Sequence, residues 1–142
     1  MRRGIVKPEN VKETTQLGQR QTRQRDAVLS VISEASGPLS VPEIHQRATE
    51  KQIGIGIATI YRTLKLLQEN AQIHAVILPS GESRFEPARL GHHEHFQCRK
   101  CSQVFDIHAC PLNLPRNTTL EGGFVVEDHE LTLYGTCPTC VA

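Results

Sequence analysis

Two pairs of cysteines constrain this 142-residue chain more than anything else in it: Cys98-Arg99-Lys100-Cys101 and Cys137-Pro138-Thr139-Cys140. Zn²⁺ takes four thiolates in a tetrahedron, and two intervening residues let both sulfurs of a knuckle reach one ion at about 2.3 Å. Cys98, Cys101, Cys137 and Cys140 therefore read as a closed structural zinc site that ties strands together and leaves no open position for chemistry. A secreted disulfide framework competes with this reading. Against it, the start of the chain, Met1-Arg2-Arg3-Gly4-Ile5, lacks the apolar stretch of a secretory signal. One C-x-x-C alone would suit a redox motif, whereas two flanking a β-rich stretch favour metal. No run approaches the roughly 18 apolar residues of a membrane span, so the expectation is a soluble cytoplasmic protein without a membrane partner.

Beside the first knuckle stands His92-His93-Glu94-His95-Phe96-Gln97-Cys98. As a strand, this run puts His93 and His95 on one face and His92 and Glu94 on the other, so it can feed two metal sites. Val104–His108 reads as a further strand with Asp106 and His108 on one face. Phe124–Tyr134 reads as another, with His129 near its start. The bland alternative is a polar loop.

The charge is uneven. Residues 1–86 hold 12 Lys/Arg against 9 Asp/Glu, while residues 87–142 hold 4 against 6 together with all five Cys and five of the seven His. A basic front half attracts a polyanion by counterion release, or is simply a solvated tail. Residues 1–20 show no sustained period and read as a flexible arm. Thr22 is placed as the cap of a helix whose apolar positions are Ala27, Val28, Val31, Ile32 and Ala35. Ser40 and Glu43 match a capping box for a second helix with Val41, Ile44 and Ala48 inward. A third helix over 57–70 has the core stripe Ile57, Ile60, Leu64 and Leu67, and an outer face of Thr59, Arg62, Thr63 and Lys65 beside Tyr61. Runs 73–78 and 83–86, joined by Pro79-Ser80-Gly81-Glu82, favour a hairpin. Three helices and a hairpin with a basic, hydroxyl-bearing third helix suit a winged helix-turn-helix on double-stranded DNA. A small helical domain with an exposed polar face is the alternative.

Catalysis has little support. His92-x-Glu94 before Cys98-x-x-Cys101 echoes a zinc deaminase signature, but no Pro precedes the Cys pair and only three residues separate the elements. His-Glu-x-x-His, G-x-S-x-G and a P-loop are all absent, so neither an enzyme nor a small organic substrate is expected.

Thr22-Arg23-Gln24-Arg25, Ile57-Ala58-Thr59-Ile60-Tyr61-Arg62-Thr63-Leu64, the His92–Cys101 run and Leu133-Tyr134-Gly135-Thr136-Cys137-x-x-Cys140, in that order, resemble the ferric uptake regulator family. The resemblance implies an α+β chain: a winged helix-turn-helix over 1–86 with its basic arm, then a small α/β dimerisation domain over 87–142 carrying the four-thiolate zinc. It implies a homodimeric, metal-dependent bacterial repressor that binds inverted-repeat operators. Its regulatory site falls on His93 and His95, with Glu86 and His74 from the wing and Asp106 in or beside it. A further site falls on His92, Glu94 and His129. Its usual fourth carboxylate would lie in Ala109–Pro115, where Asn113 stands and two Pro disfavour a long helix. Arg25, Thr59, Tyr61, Arg62 and Lys65 are the implied DNA contacts. Pro38 stands where iron-type members place a His, which favours a zinc-responsive subtype. Glu86 in place of Cys keeps Fe²⁺, Mn²⁺ and peroxide sensing open.

Overall fold

A computed structural model describes residues 9–91, 93–109 and 111–141, with side chains from residue 19 onward. Helices α1 (Glu9–Glu34), α2 (Val41–Glu50) and α3 (Ile57–Glu69) are followed by strands β1 (Ile73–Ile77) and β2 (Ser83–Pro87). Strands β3 (Glu94–Cys98), β4 (Val104–Ile107) and β5 (Thr132–Gly135) and the short helix α4 (Pro138–Val141) complete the chain. The first three helices and the β1–β2 hairpin form a winged helix-turn-helix. The second sheet has the order β4-β3-β5, with β4 antiparallel and β5 parallel to the central β3. No helix among the described residues is long and apolar enough to cross a membrane.

One core holds the front half. Val28, Val31 and Ile32 of α1, Ile44 and Ala48 of α2, and Ile60, Leu64 and Leu67 of α3 pack with Ile73 and Phe85 of the hairpin. Burying side chains of this size contributes about 1.5–3 kcal/mol each. α2 starts where the capping chemistry says it should. The Ser40 hydroxyl donates to Glu43 Oε1 at 2.8 Å and accepts the Glu43 N–H at 3.4 Å, with Pro42 in the first turn. The hairpin turn needs Gly81, whose φ of +88° lies in the left-handed region.

Four expectations need correction. α1 begins at Glu9, so Thr22 lies inside it and most of the expected arm is helical. Residues 9–26 are rich in Glu, Lys, Gln and Arg, which sustain a helix without an apolar stripe. Ile57 is 42% exposed, because the first turn of α3 projects beyond the core. Thr63 is buried rather than on the outer face: it lies on the stripe of Ile60 and Leu67, and its hydroxyl donates to the Thr59 carbonyl at 2.8 Å. Finally, the strand expected over 124–134 is confined to Thr132–Gly135. A turn at Gly122-Gly123, both with positive φ, and the polar run 127–130 precede it, and Phe124 is exposed.

Candidate metal centres and nucleic-acid face

The thiolate cluster follows from strand register. Cys98 ends β3 opposite Gly135 of the parallel β5, which brings the knuckle after β3 beside the knuckle after β5. The sulfurs of Cys98, Cys101, Cys137 and Cys140 all lie within 4.8 Å of one another, with no disulfide among them. Cys101 and Cys137 Sγ are 3.9 Å apart, close to the edge of about 3.8 Å for a tetrahedron with 2.3 Å metal–sulfur bonds. The Cys101 and Cys137 amides draw the Cys98 thiol down to about 6. The neighbouring Cys137 thiol, then burial, push Cys140 up to about 12. Four thiols this close resist full deprotonation unless a cation joins them, and the donor set fits Zn²⁺.

A second cluster joins the two sheets. In the hairpin, register sets His74 opposite Glu86; in the second sheet it sets His95 opposite Asp106. Where the sheets meet, the ligand atoms of Glu86, His93, His95 and Asp106 all lie within 4.8 Å of one another. His93 Nε2 is 2.9 Å from Glu86 Oε2 and 3.1 Å from Asp106 Oδ1; His95 Nε2 is 3.5 and 3.6 Å from the same atoms. His74 Nε2 sits 2.6 Å from the other Glu86 oxygen, so it reaches the cluster through that carboxylate. His93 Nδ1 donates to the Gly91 carbonyl at 2.7 Å, which directs Nε2 toward the carboxylates.

The electrostatics are those of a cation site. Burial pushes the Glu86 carboxyl up, but hydrogen bonds from His95, His74 and His93 outweigh it and hold it at about 2. Burial lowers His93, yet the Gly91 carbonyl and Glu86 raise it above the usual 6.5. Burial raises Asp106, against the pull of His93. Asp106 Oδ1 is buried without a hydrogen bond. A divalent cation satisfies that orphaned oxygen and the imidazole lone pairs together, so the residues present fit one.

Two residues of the further site meet among the described residues. His129 Nε2 is 2.8 Å from the buried Glu94 Oε1, on the sheet face opposite His93 and His95, while His92 lies outside the described residues. Among the described residues no third cluster of three ligand-type side chains occurs.

On the front half, Arg25, Thr59 and Arg62 line one groove between α1 and α3, with Arg62 Nη2 donating to Thr59 Oγ1 at 3.0 Å. Tyr61 is 58% exposed, and Arg62 and Lys65 are exposed. Gln24, which carries no charge signal in the sequence, ties α1 to the turn before α3 through the Gly54 carbonyl.

The ferric uptake regulator family model matches residues 16–134. The chain belongs to that family. Its members are metal-dependent transcription regulators that bind DNA as dimers. The ferric uptake regulation protein of Brucella abortus biovar 1 (strain 9-941) is 33% identical over 135 residues, covering 94% of this chain and 96% of the relative. The solved structure of a zinc-bound manganese uptake regulator is similar, with a TM-score of 0.70 and 27% identity over 85% of this chain and 98% of that one. So is FurB from M. tuberculosis, a zinc uptake regulator, with a TM-score of 0.51 and 26% identity over 89% and 98%. The α+β architecture of a ferric uptake regulator, with its DNA-binding and dimerisation domains, is therefore that of this chain.

Proposed function

We propose that this member of the ferric uptake regulator family is a repressor whose operator affinity is set by a transition-metal ion at the Glu86/His93/His95/Asp106 cluster. The observation that carries the reading is the origin of those ligands. Glu86 comes from the wing strand, and the other three come from the second sheet or the segment leading into it. An ion held by both favours one orientation of the two halves, and it shifts the equilibrium only by binding that orientation more tightly. The domains divide near residues 86 and 87. The four-thiolate cluster holds structural Zn²⁺, and catalysis forms no part of the role. Arg25, Thr59, Tyr61, Arg62 and Lys65 meet an inverted-repeat operator in the cytoplasm. A second copy of the chain covers the exposed Leu112, Leu120, Phe124 and Val125.

We assign Zn²⁺ as the effector, because His74 beside Glu86 adds a third imidazole to the site. The two carboxylates support a second reading, Mn²⁺ or Fe²⁺, as harder ions prefer oxygen. Anisotropy of a labelled duplex from the protein's own promoter, at buffered free Zn²⁺, Mn²⁺ and anaerobic Fe²⁺, tests both. Affinity rising at the lowest free zinc, relative to each metal's availability, supports the zinc reading; a response confined to Mn²⁺ or Fe²⁺ replaces it. No response to any metal, with a wider duplex screen also failing, refutes the repressor.

A further inference from the structure

We propose that Arg84 is a positioning residue that latches the winged helix onto the zinc-knuckle sheet and so presents Glu86 to the hinge cluster. Arg84 lies on β2, two residues before Glu86, and its side chain is almost fully buried. Within its own half it pairs with Glu43 at the start of α2 and with Glu82 of the hairpin turn, and its Nη1 donates to the Pro38 carbonyl at 3.4 Å. Its Nη2 leaves that half and donates to the Ser102 carbonyl at 3.1 Å. Ser102 closes the knuckle turn: it has a φ of +64°, and its N–H donates to the Cys98 carbonyl at 2.9 Å.

A second contact runs beside the first. The Ser36 carbonyl accepts the Asp106 N–H at 2.9 Å, and Gly37 lies so close to β4 that an added Cβ would sit 2.0 Å from the Val104 carbonyl oxygen. The same connection pairs with the wing, where Leu39 and Phe85 exchange two backbone hydrogen bonds. The seam therefore fixes β2 against β4, and with it the approach of Glu86 to Asp106. A buried guanidinium is costly unless its donors are used, and the Ser102 carbonyl is the acceptor that exists only while the halves are docked. The thiolate knuckle thereby becomes a second anchor for the orientation that the hinge metal requires.

This rests on the proposed hinge switch, but its first test needs neither metal at the hinge nor DNA. Arg84→Lys keeps a charge for Glu43 and Glu82 and cannot also span to Ser102. In the zinc-loaded full chain, exchange of the Asp106 amide should rise about tenfold, the loss of one charge-assisted hydrogen bond, while the β1–β2 and β3–β5 amides keep their protection. Wild-type exchange at Asp106, or protection lost evenly across the winged helix, overturns the latch. Gly37→Ala opens the seam from the β4 side with Arg84 in place. Both variants should weaken metal binding at the hinge by about tenfold with the four-thiolate zinc retained. Unchanged hinge affinity in Gly37→Ala overturns the proposal even if Arg84→Lys does not fold. A wild-type chain whose duplex affinity ignores metal sinks the switch reading instead.

Discussion

His93 sets the proton economy of the hinge. Raised above 6.5 by the Gly91 carbonyl and Glu86 against the effect of burial, it keeps its proton to higher pH than a free imidazole, and a metal must displace that proton. Metal affinity should therefore rise with pH as His93 loses its proton above 6.5, with proton release detectable in weak buffer. Glu86→Gln removes a partner that raises His93 and should move this rise to lower pH. The metal-free fold has the complementary dependence. Protonated His93 stabilises it below 6.5, and that contribution is lost as pH climbs through the raised value. Glu86 stabilises it above its usual 4.5 and is lost as pH falls toward 2. A titration of metal affinity by chelator competition across pH checks the sign. At this scale the sequence was readable where period two decides which face a residue takes, as for His93 and His95. Arg84 was not, since its partners Glu43 and Ser102 lie far along the chain and no local pattern joins them.

Among the elements, the knuckle after β3 carries the most consequence. Cys98 is the last residue of β3 and faces the second C-x-x-C through the β3–β5 register, so an ion held by the four sulfurs would join two strands and α4. Cys98→Ser should empty the thiolate site and strip the β3–β5 amides of their exchange protection, since structural Zn²⁺ contributes on the order of 10 kcal/mol. The winged helix, with its separate core, should keep the protection of Ile60 and Leu64. Equal loss everywhere would mean one cooperative unit. Helix α2 and the hairpin were legible from Ser40, Glu43 and the Pro79–Glu82 turn, because caps and turns are written in local chemistry. The early start of α1 was not, because apolar period reports packing and not propensity. Thr63 was misplaced for a related reason: a hydroxyl that bonds back to its own helix can be buried at little cost.

Across the whole molecule, the ion at the hinge and the DNA at α3 are coupled, on the proposed switch, through the relative orientation of two halves. Two sites on one rigid body would need no such coupling. By linkage, if metal raises duplex affinity by some factor, duplex must raise metal affinity by the same factor. The direct measurement is metal affinity at the hinge site by chelator competition, with the four-thiolate zinc in place, in the presence and absence of saturating operator duplex. The prediction is tighter metal binding with duplex, by the factor found in the reverse titration, and no such gain in His93→Ala. Equal metal affinity with and without operator would contradict the switch.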